Sequence, residues 1–177
     1  LLMYGIPSMK LDKKVVQRRV NLLEEEGINF KCNHQVSSND LSKKYDACVV
    51  AVGATKPNDL YIPNRNLAGI EFADNFLTYF TKSSLDKSDI PSMKNEKVIV
   101  IGGGDTGTDA IAVSIRRKCK SIFNFELFPK PPLVSNWPDM GKMFKIDYGH
   151  EEAISKFGKD PRQYAISVKR FIPHKED

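Results

Sequence analysis

At 177 residues, 41% apolar and 28% charged, the chain has a globular composition and the length for one large core, or for one complete domain with part of another. Its formal charge of +5 comes from 27 basic and 22 acidic residues scattered along the sequence, which argues against nucleic-acid binding, where basic residues gather into one stripe; an anionic cofactor or an acidic protein partner suits the excess as well. No apolar run approaches the roughly 20 residues of a membrane helix, so no membrane role is expected. The N-terminus shows no basic leader followed by an apolar stretch, which makes a cytoplasmic location the expectation, with an organellar one open because a leader could precede Leu1.

The chain starts without Met and enters at once into LLMYGIP, so it is expected to begin inside a larger polypeptide. LLMYGIPSMKLD reads as a loop held by Gly5 and Pro7, with Asp12 as N-cap of the next helix. Val16, Val20 and Leu23 repeat at helical spacing, Val15 and Leu22 widen the stripe, and Gly27 stops it. Lys13 and Lys14 come early and Glu24, Glu25 and Glu26 late, against the helix dipole, and both charge runs read as solvated surface. Residues 28–32 (INFKC) read as a short strand and 46–52 (DACVVAV) as a fully buried one ending in Gly53. Small apolar residues and a glycine at the carboxyl end of a parallel strand are where open α/β sheets receive a ligand, although packing alone also produces AVGA. Cys32, Cys48 and Cys119 lack C-x-x-C spacing and read as reduced thiols. Residues 55–69 break regular structure, 70–80 (IEFADNFLTYF) resume at helical spacing beside a domain boundary, and 81–96 read as a polar surface linker.

The informative stretch is KVIVIGGGDTGTDAIAVSIRRK, residues 97–118. An apolar run suited to a parallel strand leads into Gly102, Gly103 and Gly104, and Gly102, Gly104 and Gly107 fall on G-x-G-x-x-G spacing. The first glycine permits the tight turn, the second lets backbone approach a pyrophosphate, and the third lets the helix pack on the strand. The helix is expected to begin near Thr106, which caps it, with Asp105 in the turn facing the cofactor or a partner domain. Residues 121–127 (SIFNFEL) give a second strand and complete a strand-helix-strand unit. Dinucleotide binding follows from that context; glycines serving only helix-sheet packing are the other reading.

Glu126 lies 19 residues after Gly107, at the end of the second strand. An acid there accepts hydrogen bonds from ribose hydroxyls and repels a 2'-phosphate, which favours NADH over NADPH. Lys130, Arg116 and Arg117 are near enough in sequence to offer a phosphate partner instead, and a Glu merely exposed at a strand end is a third reading. Beyond it, FPKPPLVSNWPDMG is a proline-rich loop whose Trp137 either covers a bound ring or packs on its own domain. Residues 143–148 read as a strand, 150–157 as a short helix and 164–172 as a last strand. His34, His150 and His174 stand apart and read as surface or helix-start residues, so neither a catalytic constellation nor a metal site is expected. Hydride transfer needs none: it asks for two rings held at the right distance.

Together LLMYGIPSMKLDKKVVQRRVNLLEEEGINF, VVAVGATKPNDLYIPNRNLAGIEFADNFL, VIVIGGGDTGTDAI, SIFNFELFPKPP and DYGHEEAISKFGKDPRQYAISVKRFI resemble the small-subunit region of the glutamate synthases, above all the NADH-dependent eukaryotic form. The resemblance covers nearly the whole chain. It implies an α/β fold of two-dinucleotide-binding-domain architecture: a Rossmann-like NAD(P)H-binding domain at 97–177, part of an FAD-binding domain at 1–60, and a connection at 61–96. Electrons would pass from nicotinamide to FAD, then through iron-sulfur clusters to FMN elsewhere in the full enzyme, converting glutamine and 2-oxoglutarate to glutamate. The partner would be the remainder of that polypeptide or its large subunit. Leu1 and Leu2 follow where the family has its glycine pair near FAD, and Lys10 matches the basic residue of the I-P-x-x-[KR]-L motif that contacts the flavin nucleotide. Val36 would lie where backbone meets the adenine, and Ala51, Val52, Gly53 and Ala54 match the strand end beside FAD.

The family's FAD fingerprint and iron-sulfur cysteines would lie upstream of Leu1 and its closing FAD segment beyond Asp177, so the chain alone is expected to hold FAD poorly. Its proline-tryptophan loop is shortened around 136–142. Within the same class, an electron-input subunit of a ferredoxin:nicotinamide nucleotide reductase or a dihydropyrimidine dehydrogenase is the alternative; outside it, a non-catalytic dinucleotide-binding docking module.

Overall fold

The computed structural model describes residues 1–37, 40, 45–54, 56–88, 90–133 and 143–173. The chain divides into two compact units, Leu1–Lys13 with Leu60–Asp177, and Lys14–Asp59.

The larger unit is built on α3, and its earlier elements are best placed first. Helix α1 (Lys13–Glu25) begins at the last residue of the opening segment, directly after Asp12. Lys13 is not solvated: it is 7% exposed and its ammonium donates to the carbonyls of Leu2 (2.8 Å) and Ile6 (2.5 Å). Burial lowers its pKa, and the two carbonyls tie the opening loop to the helix start. Helix α2 (Ala73–Leu85) runs past the expected end at Phe80, and Thr81 and Ser83 within the supposed linker are buried. Polarity misled the reading there. Leu77, Phe80 and Thr81 share one face at i, i+3, i+4, and a small hydroxyl side chain buries at little cost on such a face.

Strand β1 (Lys97–Ile101) and strand β2 (Ser121–Phe125) pair in parallel from Lys97↔Ser121 to Ile101↔Phe125, joined by helix α3 (Asp105–Arg116). Every α3 residue from Gly107 to Ile115 is buried, because the sheet, α2 and helix α4 (Tyr148–Phe157) pack around it. Ala110, Ala112 and Ala153 keep these contacts close, while Leu77, Phe80, Val100, Ile111, Val113, Ile115 and Ile122 fill the core. Each large apolar side chain so buried contributes about 1.5–3 kcal/mol.

Helix α4 starts at Tyr148, so residues 143–147 form no strand. Asp147 decides this: it caps the helix, and its side chain and His150 make a reciprocal capping box. Gly158, at φ 75°, ends the helix. Strand β3 (Arg162–Gln163) then pairs in parallel with β2 through Asn124↔Arg162 and Phe125↔Gln163. The expected strand over 164–172 does not form, because Ala165 at φ 55° turns the backbone out of the extended region. The Ala165 and Ile166 N–H groups still donate to the carbonyls of Phe128 and Glu126, both at 3.0 Å.

In the smaller unit α1 continues to Glu25, and Gly27 at φ 93° ends it as expected. Residues 28–32 and 46–52 form no strands, and Val49, Val50 and Val52 are 89%, 75% and 80% exposed rather than buried. A parallel strand exists only where neighbours satisfy its N–H and C=O groups and layers cover both faces. The described residues of this unit supply neither.

Candidate dinucleotide-binding site

The site starts where β1 runs out. Gly102, at φ 103°, turns the chain while its N–H donates to the Phe125 carbonyl at 2.9 Å. Gly104 is the N-cap of α3, extended and without a side-chain cap, and the Thr108 N–H donates to its carbonyl at 3.1 Å. Thr106 therefore does not cap the helix. It lies inside the first turn with Asp105, and both are exposed. The helix start is left with N–H groups that no side chain takes, an arrangement suited to phosphate.

Each glycine meets a different surrounding. A Cβ on Gly107 would lie 2.5 Å from the Gly102 carbonyl oxygen and 3.5 Å from Val100 Cγ1, so helix and strand could not approach as they do. A Cβ on Gly104 would meet nothing within 4 Å, which leaves that side of the turn open to a ligand. A Cβ on Gly103 would overlap the carboxylate of Glu126. The acid at the end of β2 thus lies directly over the turn.

Asn124 holds this geometry. Fully buried in β2, it donates from Nδ2 to the carbonyls of Val100 (3.2 Å) and Gly102 (2.9 Å), stitching the strand end and the turn to the next strand. Sequence reading missed it, although one polar residue amid the apolar SIFNFEL was the available signal.

Glu126 is fixed through its backbone: its N–H donates to Gln163 (2.8 Å) and its carbonyl accepts from Ile166 (3.0 Å). Its carboxylate has no hydrogen bond or ion pair among the described residues, and burial raises its pKa against the opposing pull of Arg162. It borders an open cleft of about 300 Å³, together with Gly103, Phe128, Lys145, His150, Arg162 and Tyr164. Arg162, its side chain 6% exposed, donates to both Asp160 oxygens and to the Lys145 carbonyl at 2.7 Å, and lies 4.4 Å over the Phe144 ring. His150 is a helix-start residue as expected but a buried one: its Nδ1 accepts the Asp147 N–H at 3.3 Å, and burial together with Arg162 lowers its pKa.

Of the cations weighed as phosphate partners, Arg116 is forked to Glu152 at 2.7 Å and Arg117 lies over Phe80, both at the far end of α3. Lys130 lies over Phe144 at 4.6 Å. The cleft's cations are Lys145 and Arg162, which sequence spacing did not single out. Lys10 donates to Asp109 Oδ1 at 3.0 Å, an oxygen that also accepts from the Tyr148 hydroxyl at 2.5 Å. Leu2 is half-exposed in the same unit, whereas Val36, Ala51, Val52 and Gly53 are exposed in the smaller one. Trp137 and His174 lie outside the described residues. Among the described residues no cluster of His, Cys, Asp or Glu could hold a metal, and no helix is long and apolar enough to cross a membrane.

A parallel strand-helix-strand unit, with a glycine turn opening on an uncapped helix end and an acid closing the next strand, defines a pyridine-nucleotide-binding oxidoreductase. Residues 7–131 match the pattern of the pyridine nucleotide-disulphide oxidoreductases, and the chain belongs to that family. It is 45% identical over 188 residues to the glutamate synthase [NADH] of Saccharomyces cerevisiae and 48% identical over 185 residues to that of Schizosaccharomyces pombe. To the glutamate synthase [NADPH] small chain of Bacillus subtilis it is 42% identical over 187 residues. These matches cover 97–99% of this chain, which spans 9% of the length of each yeast relative and 38% of the bacterial one.

Proposed function

We propose that this chain is the electron-input region of a glutamate synthase, oxidising NADH and passing its hydride to FAD for the conversion of glutamine and 2-oxoglutarate to glutamate. The observation that carries the cofactor choice is the closure of Glu126 over Gly103. An acceptor at that point suits two ribose hydroxyls and opposes a 2'-phosphate. The uncapped N–H groups of α3 hold the pyrophosphate, and the open face of Gly104 admits it. Bound nicotinamide supplies the hydride, so the chain's own residues have only to bind, orient and exclude water.

Residues 97–177 form the NAD(P)H-binding domain in this reading, 61–96 the connection, and 1–60 part of the FAD-binding domain. Leu2, Lys10, Val36, Ala51, Val52 and Gly53 serve the flavin. Iron-sulfur clusters and FMN belong to the rest of the polypeptide or to a large subunit, and the whole operates in the cytoplasm. Identity across 97–99% of the chain to glutamate synthases of both cofactor types supports the reaction but leaves the nucleotide to the site.

Titration of the chain with NADH and NADPH, followed by nicotinamide fluorescence, is expected to show tighter NADH binding; equal or reversed affinity overturns the choice of NADH. A longer polypeptide extended on both sides should purify yellow and be bleached by NADH. If it stays colourless, the docking-module reading replaces electron input.

A further inference from the structure

The cleft beside Gly103 gathers hydrogen-bond donors that lack an acceptor. The exposed Lys145 ammonium has no partner among the described residues. His150 is 4% exposed, and because its Nδ1 accepts from Asp147 the neutral ring carries its proton on Nε2, which is buried without a partner. The Tyr164 hydroxyl is likewise buried and unpartnered. Such groups are rare in folded proteins and call for an explanation in function.

The charges are distributed unevenly. Arg162 is balanced by Asp160, and its remaining N–H donates to the Lys145 carbonyl, so it fixes the backbone there rather than reaching out. The neighbouring Phe144 N–H donates to the Pro132 carbonyl at 2.9 Å, and its ring lies under both Arg162 and Lys130. Lys145 is therefore held in place by its backbone while its side chain stays available. Of the two carboxylates on the cleft wall, Asp147 caps α4 and Glu126 has no partner. One unpaired anion and one unpaired cation thus face the same space.

We infer that Lys145 is a specificity-determining residue for the nucleotide, offering its ammonium to a ribose 2'-phosphate in the cleft where Glu126 accepts the ribose hydroxyls. The assignment rests on the dinucleotide reading above. Glu126 alone would exclude a phosphate dianion; Lys145 offsets that repulsion, so the preference for NADH is a graded one set by the balance of two side chains. An ammonium–phosphate contact at a partly exposed site corresponds to about five- to tenfold in affinity.

The test is titration of the full chain and its Lys145→Ala and Lys145→Gln variants with NADH and NADPH at low and high salt, with adenosine 2',5'-bisphosphate as a competitor that carries the 2'-phosphate without nicotinamide. Both variants should lose about five- to tenfold in NADPH affinity relative to NADH, and the bisphosphate should compete correspondingly less well. The loss should shrink at high salt, as a screened ionic contact requires. Because the Lys145 side chain is exposed, melting temperatures should stay at the wild-type value. An unchanged NADPH-to-NADH ratio with intact nucleotide binding overturns the assignment of Lys145 alone. Failure of the wild-type chain to bind either nucleotide overturns the dinucleotide reading and this inference with it.

Discussion

Gly104 and Gly107 separate two roles that a glycine motif usually confounds. At Gly107 an added Cβ runs into the Gly102 carbonyl, so Gly107→Ala should cost about 1–3 kcal/mol in stability as well as weaken nucleotide binding. At Gly104 the space is open and φ is −76°, so Gly104→Ala should melt close to wild type and lose binding alone. Thermal melting paired with NADH titration checks both. Glu126 has a different signature. Burial raises its pKa, so the carboxyl favours folding only while protonated, and that contribution fades as pH rises through the raised value. Glu126→Gln should therefore melt slightly higher than wild type at neutral pH and match it below the ordinary carboxylate range. The same variant should also discriminate less against NADPH. Gly102, Gly104, Gly107 and Glu126 were legible because spacing along one strand-turn-helix fixes their neighbourhood. Asn124 was not, since its partners Val100 and Gly102 belong to another strand.

Among the elements, α3 is buried along most of its length, and α4 crosses it where a Cβ on Gly149 would overlap the Thr108 carbonyl. The clamp behind that crossing is Asp160 with Arg162, at 2.7 Å. Burial works against the charge on Asp160, but the Arg162 side-chain and backbone donors outweigh it and hold the pKa below the ordinary value. The pair's contribution is therefore full above the ordinary Asp range and lost as pH falls through the depressed value. Asp160→Asn should cost about 1.5–3 kcal/mol at neutral pH, with wild type and variant converging in acid, as urea melts across pH would show. β1, β2 and α3 were legible from apolar runs and glycines. The length of α2 was hidden by its small polar residues, and the stop of β3 by a positive φ at an alanine, which sequence does not announce.

On the scale of the whole molecule, protection is expected to be uneven. Amides of β1, β2 and α3 have ladder or helix partners around a filled core, while residues 46–54 have neither ladder nor cover. Native-state hydrogen exchange should show the first group slowest and the second close to free-chain rates; slow exchange across 46–54 would contradict this picture. The sequence by itself determined the class of chemistry: a strand, three glycines, a helix and an acid at set spacing make a pyrophosphate turn wherever they fold, because those contacts are local. It also fixed the order of the elements from β1 onward. Only the tertiary structure decided that Glu126 closes over Gly103, that Asn124 pins the turn, and that Lys145 and Arg162 face the same cleft. Those are long-range pairings across separate strands and loops, set by register and packing rather than by spacing along the chain.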